Sequence, residues 1–140
     1  MAAARDYKRA CDSGTAQACG YLGFMYDNGH GVEADVGVAV DLSTRSCSEA
    51  GAYGCAYLGY LYQVGRGVGQ DPSRAATLYR KACDGEDSSG CLLLGIMYKT
   101  GSGVAQDPEY AAQLFNRACD DGESLACARS RSTPSPFAYM

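Results

Sequence analysis

A single histidine, no tryptophan and only 3 phenylalanines stand among the 140 residues of this chain. Positive charge is also scarce: 12 Lys and Arg face 16 Asp and Glu, for a formal net charge of −4. The basic residues are scattered, whereas phosphate binding needs them clustered, so no nucleic-acid partner is expected. No run of 18 or so apolar residues exists, which predicts no membrane-spanning helix. No secretory leader is expected in these residues either, because Met1-Ala2-Ala3-Ala4-Arg5 runs straight into a repeat unit. The expectation is a chain cut from a longer precursor, or one that stays in the compartment where it is made. What is present is 46% apolar and 20% charged, the profile of a soluble globular protein with one continuous core. Glycine at 18, tyrosine at 11 and cysteine at 8 are high.

The cysteines set a period. Cys11, Cys19, Cys47, Cys55, Cys83, Cys91, Cys119 and Cys127 form pairs separated by 8, and each pair recurs after 36 residues. Leu22-Gly23, Leu58-Gly59 and Leu94-Gly95 keep the same beat, as do Tyr26, Tyr62 and Tyr98. Gly29-His30-Gly31-Val32, Gly65-Arg66-Gly67-Val68 and Gly101-Ser102-Gly103-Val104 follow, then Asp35, Asp71 and Asp107. Such a repeat predicts a solenoid of stacked supersecondary units.

Each unit reads as two helices, giving an all-α superhelix. In the first unit the first helix is expected from about Thr15 to Asn28, with Ala18, Leu22, Met25 and Tyr26 on its core face. Gly-x-Gly-Val ends it, since glycine supplies the left-handed C-cap. The second helix starts at the Asp of each unit, an N-cap that Pro72 and Pro108 reinforce at the first helical position. Gly23, Gly59 and Gly95 lie inside a helix, where each costs about 1 kcal/mol against Ala, and close approach of a neighbouring helix is the expected return. The organisation predicted is a partial unit at 1–14, repeats at 15–50, 51–86 and 87–122, a partial unit at 123–131 and a flexible tail at 132–140. Half-units at both ends point to a fragment or a natural truncation.

Within one straight helix, residues 8 apart lie about 12 Å apart, too far for a disulfide. Across a short turn between antiparallel helices they can meet. The spacing therefore favours Cys11–Cys19, Cys47–Cys55, Cys83–Cys91 and Cys119–Cys127, each worth roughly 2–3 kcal/mol. Buried free thiols and a metal site are the rival readings. A separation of 8 does not form the close Cys knuckle of structural zinc, and His30 is the only histidine, so no metal is expected. Disulfides place the working protein in an oxidising compartment.

Leu-Gly-x-x-Tyr, then Gly-x-Gly-Val, then Asp and a helix ending in Ala-Cys resembles the Sel1-like repeat. The added cysteine pairs resemble the cysteine-rich subset typified by the Helicobacter cysteine-rich proteins. The resemblance covers about residues 3–130 and implies an α/α superhelix related to tetratricopeptide arrays. It also implies a secreted or periplasmic location, or the mitochondrial intermembrane space in a eukaryote. Two functions follow by the same resemblance: an adaptor binding proteins or peptides, or a penicillin-binding protein with weak β-lactamase activity.

An enzyme would need a nucleophile and a base. No serine here has Lys three residues later, so the Ser-x-x-Lys element of serine β-lactamases is missing. Lys99-Thr100-Gly101 spells a second element of those enzymes, but falls in register with Gln63-Val64-Gly65 and Asp27-Asn28-Gly29 at a helix end. His30 shares a loop position with Arg66 and Ser102, and Gly-x-Gly-Val lacks the strand and third glycine of a dinucleotide loop. The sequence predicts no catalytic residue and no cofactor. A binding protein would instead use the face of the first helices that stacking makes concave. That stripe reads Tyr21, Phe24 and Asn28; Tyr57, Tyr60 and Val64; Leu93, Ile96 and Thr100, with Arg129 beyond. Tyrosines there suit a protein or extended peptide, whereas the rival expectation packs the same residues between helices. A structural spacer within a larger repeat array is the third reading.

Overall fold

The computed structural model describes residues 2–120. Among these lie seven α-helices: α1 (Ala2–Asp12), α2 (Ala16–Asn28), α3 (Val36–Ser48), α4 (Ala52–Val64), α5 (Pro72–Asp84), α6 (Ser88–Thr100) and α7 (Pro108–Asp120). No described residue is in a strand, and no described helix is long and apolar enough to cross a membrane. The expected partial unit at 123–131, the tail at 132–140, Arg129 and the partner of Cys119 lie outside the described residues.

Local chemistry sets the helix ends in the same way in every unit. The side chains of Asp35, Asp71 and Asp107 accept from the amides of Val38, Arg74 and Tyr110 at 3.2, 3.1 and 3.1 Å, satisfying donors that the first turn leaves open. Gly29, Gly65 and Gly101 end α2, α4 and α6 in the left-handed region, at φ of 68, 73 and 74°. The following loop closes identically three times, with the amides of Asp35, Asp71 and Asp107 donating to the carbonyls of Tyr26, Tyr62 and Tyr98 at 2.8 Å.

Each first helix packs on the second helix of its own unit through its interior glycine. A methyl group on Gly95 would sit 2.6 Å from a ring carbon of Phe115, so the helix backbone rests directly on the ring. Gly59 stands likewise against Tyr79. The core lies along this seam: Leu22, Leu58, Leu94, Ala39, Ala75 and Ala111 are buried, and Tyr79, Phe115, Leu61 and Met97 are fully buried. The first unit is looser than its register suggested. Met25, expected in the core, is half-buried where Leu61 and Met97 are buried, because α2 has no first helix before it to cover that side; Tyr26, also expected there, is half-buried like Tyr62 and Tyr98.

Among the described residues, three disulfides bolt α1 to α2, α3 to α4 and α5 to α6: Cys11–Cys19, Cys47–Cys55 and Cys83–Cys91, with Cα atoms 4.7, 4.4 and 4.5 Å apart. Both members of each pair are buried. Such bonds fit an oxidising compartment. Along the array, α2 packs on α4 and α4 on α6. The second helices instead reach one another through long side chains, as where Arg45 of α3 donates to the carbonyl of Cys11 and Arg117 of α7 to that of Cys83. Among the described residues, backbone approach between successive units is closest on the first-helix side, where α2 meets α4 and α4 meets α6.

Candidate functional site

Helical spacing puts one apolar row on a single face of the first helices, and neighbour packing then decides which members stay exposed. Tyr21, Phe24, Tyr60 and Val64 are exposed, at 37, 36, 39 and 47% of their surface. Asn28 and Thr100 are exposed too, while Leu93 and Ile96 are half-buried and pack against the core of the last two units. Tyr57 departs from the surface position expected of it: only 9% of its surface is exposed. The cause is crowding from four sides. Its ring lies 5.5 Å from that of Phe24, 6.3 Å from Tyr53 and 6.0 Å from Tyr60, and its hydroxyl is held by Asp27.

These rings belong to a longer aromatic run. Tyr53 meets Tyr21 at 4.5 Å, and Tyr21 meets Tyr7 of α1 at 5.5 Å. Tyr7, Tyr21, Phe24, Tyr60 and Val64 are all of the large hydrophobic side chains exposed among the described residues. Two of the other ringed or branched residues of the stripe, Tyr57 and Leu93, join Phe24, Tyr60 and Asn28 around a pocket of about 300 Å³. Tyr53, Ala56 and Ser89 complete its wall, and Asp27 and Arg66 form its polar side. Tyr21, Val64, Ile96 and Thr100 are not part of that wall.

Asp27 and Arg66 were not among the binding residues that the pattern pointed to. Asp27 ends α2, yet only 6% of it is exposed. Burying a carboxylate this deeply requires partners. Tyr57 donates its hydroxyl to Oδ2, and Arg66 brings Nε to 2.9 Å from Oδ1 in an ion pair whose angle falls outside hydrogen-bond geometry. Arg66 Nη2 also reaches the Asp27 backbone carbonyl at 3.4 Å. The guanidinium is half-exposed, at 51%, against 2% for the Asp27 side chain. The pair therefore joins a buried anion to a cation at the pocket rim.

Burial, then the hydrogen bond to Asp27 and the charge of that carboxylate, pushes the Tyr57 hydroxyl well above its ordinary value, and Arg66 offsets this in part. Burial also pushes Tyr53 up to about 12, helped by Tyr21, Asp87 and Tyr7. Both phenols stay protonated near neutral pH; the Tyr57 proton is spent on Asp27, and Tyr53 stands in the pocket wall with its own.

The repeat register shows what is special here. Asp27 aligns with Gln63 and Lys99, Tyr57 with Tyr21 and Leu93, and Arg66 with His30 and Ser102. In the next unit, Gln63 accepts from Tyr79 at 2.6 Å. Position 43 of the first unit holds Ser43 instead of that tyrosine, so Asp27 has no such donor behind it. It turns to Tyr57 and Arg66 of the following unit. An acid at a first-helix position that holds Gln63 and Lys99 in the other units was the available signal, and it shows only once the units are aligned. Lys99-Thr100-Gly101 is the last turn of α6 and its C-cap, where Thr100 Oγ1 donates to the carbonyl of Ile96 at 2.9 Å. Among the described residues no group of His, Cys, Asp and Glu is placed to hold a metal ion.

Known proteins share this architecture. A Sel1 repeat protein from Oxalobacter formigenes superposes with a TM-score of 0.82 at 28% identity, covering 91% of this chain and 52% of that one. A protective antigen present in uropathogenic Escherichia coli strains, with an SLR fold, has a TM-score of 0.79 and 30% identity over 91% of this chain and 27% of its own. Cysteine-rich protein B of Helicobacter pylori has a TM-score of 0.71 and 30% identity, covering 90% of this chain and 96% of that one. The chain thus spans about half the length of the Oxalobacter protein and about a quarter of the Escherichia one. Among curated proteins, none matches. The Sel1 repeat profile matches residues 16–50, 52–87 and 88–123, in step with the three helix hairpins. With three repeats in register and neighbours of the same fold, including a cysteine-rich Helicobacter protein, this chain belongs to the Sel1 repeat family.

Proposed function

We propose that this protein is an adaptor that binds an extended segment of a protein or peptide across the concave face of its first helices. Sel1 repeats are generally protein-interaction modules. One observation carries the reading to this face: every large hydrophobic side chain exposed among the described residues belongs to a single aromatic-rich surface on α1, α2 and α4. Soluble proteins rarely leave such a patch uncovered without a partner. Tyrosines contribute contact area at little entropic cost and carry a hydroxyl for backbone groups, which suits peptide capture. Ligand residues on this reading are Tyr21, Phe24, Asn28, Tyr57, Tyr60, Val64, Leu93, Ile96 and Thr100. The buried disulfides support a secreted or periplasmic working place.

Panning a peptide library on the immobilised, oxidised protein tests the proposal. Selected peptides should lose about five- to thirtyfold in affinity on Tyr60→Ala, since an exposed interface tyrosine is worth about 1–2 kcal/mol. They should be unaffected by Thr77→Ala on the exposed side of α5. Equal binding to the Tyr60→Ala protein would overturn the concave-face assignment.

A further inference from the structure

We propose that the pocket between α2, α4 and α6 reads an internal acidic segment of an extended peptide. An apolar or aromatic side chain seats against Tyr57, and a neighbouring Asp or Glu carboxylate is taken by Arg66. This rests on the concave-face reading above and adds the chemistry of the ligand.

Three features of the site point to an anion. Arg66 is the sole Lys or Arg lining the pocket. Its Nε and Nη2 are engaged by Asp27, which leaves Nη1 uncommitted on a side chain that is half in solvent. Asp27 itself is out of a ligand's reach, with one oxygen on Tyr57, the other beside Arg66, and 2% of its side chain exposed. The charge that the rim shows to a ligand is therefore positive. A ring-caged ammonium would meet that guanidinium and be repelled, so the aromatic walls serve an apolar group instead.

The ion pair also explains why this cation discriminates when a loose surface arginine would not. A free arginine loses rotamer entropy when it grips a carboxylate. Arg66 is already held by a buried acid whose own position is set by Tyr57. Its guanidinium is pre-oriented, and a carboxylate can bind at Nη1 without first ordering the side chain.

The site is open along the array. Exposed rings continue from the pocket to Tyr21 and Tyr7 on one side, and α6 follows on the other. Among the described residues the pocket is open toward both neighbours along the array, which favours an internal segment over a chain terminus.

The test uses the oxidised chain and four synthetic probes: acetyl-Gly-Ser-Phe-Glu-Ser-Gly-amide, its Gln-for-Glu and Ala-for-Phe counterparts, and acetyl-Gly-Ser-Gly-Ser-Phe with a free carboxylate. Binding is read by calorimetry and by tyrosine fluorescence, which 11 tyrosines and no tryptophan make usable. The Glu peptide should bind about tenfold tighter than the Gln peptide, and loss of Phe should weaken it by a similar factor. The Arg66→Ser protein, carrying the residue of the Ser102 register, should bind Glu and Gln peptides equally. Because that change leaves Asp27 buried without its cation, the double variant Asp27→Gln/Arg66→Ser removes the buried charge as well, placing there the residues of the Gln63 and Ser102 register. It should give the same loss of discrimination. Equal affinity for Glu and Gln peptides in the parent, with binding still lost on Tyr60→Ala, would overturn the acidic-segment proposal and leave the groove intact. Tighter binding of the free-carboxylate probe would assign a chain terminus instead. Absence of binding by all four at about 1 mM, a threshold near −4 kcal/mol, would count against both readings.

Discussion

Replacing Tyr57 with Phe keeps the ring, the pocket and the packing, and removes one hydroxyl. That hydroxyl donates to a carboxylate oxygen with almost no access to water, since the Asp27 side chain is 2% exposed. A hydrogen bond to a charged group contributes about 1.5–3 kcal/mol, and a buried acceptor left without its donor sits toward the upper end. Arg66 still faces the other oxygen, but it is half in solvent and screened, which offsets little of the loss. A destabilisation of about 2 kcal/mol follows. For a chain of this size that corresponds to a fall in Tm of about 7 °C. Thermal melts of the oxidised protein by circular dichroism or calorimetry measure it. Tyr60→Phe is the control: its ring is exposed, and its Tm should stay within about 1 °C of the parent because surface changes of this kind are small. A Tyr57→Phe melt indistinguishable from that control would refute the claim that Asp27 depends on this hydroxyl, and with it the pre-orientation of Arg66.

Gly95→Ala should destabilise by about 1–3 kcal/mol through overpacking, although alanine gains about 1 kcal/mol in helix propensity, because the new methyl would meet the Phe115 ring at 2.6 Å. An unchanged or raised Tm would show that α7 yields freely at that seam. Alkaline titration gives a signed expectation for Tyr53: its folded pKa, about 12, lies above the ordinary 10.0, so its protonated form contributes stability that is fully present below pH 10. That stability is lost as pH rises through about 12, and phenolate absorbance should show tyrosine ionising there before the fold opens. Reduction should lower Tm sharply, since each of the three described bridges closes a short loop worth roughly 2–3 kcal/mol. A thiol titration of the unfolded, non-reduced protein should find these six cysteines unreactive, and six reactive thiols would remove the bridges from the account.

Most of the architecture was legible in the chain itself, for a physical reason. Helix caps, glycine stops and cysteine pairs all act over three to eight residues, and the solenoid repeats one such unit, so a local pattern specifies both the hairpin and its stacking. Asp71, Pro72, Gly101 and Cys83–Cys91 announce their roles without any long-range information. Choosing between surface and core was different. Helical spacing put Tyr57 and Tyr60 on one face, but Tyr57 is buried and Tyr60 exposed, because three rings and Asp27 crowd the first and not the second. Likewise Met25 looks like Leu61 and Met97 in register, yet is covered on one side less.

The candidate site belongs to the tertiary structure. Asp27 meets Tyr57 across 30 residues and Arg66 across 39, a separation set by how one hairpin leans on the next. Each of the three residues by itself reads as a helix end, a stripe member and a loop tip. Only the stacking brings an acid that has no donor in its own unit to the phenol and guanidinium of the next. A period can repeat a fold, whereas a binding site needs the places where the units differ, and those differences acquire meaning when the units touch.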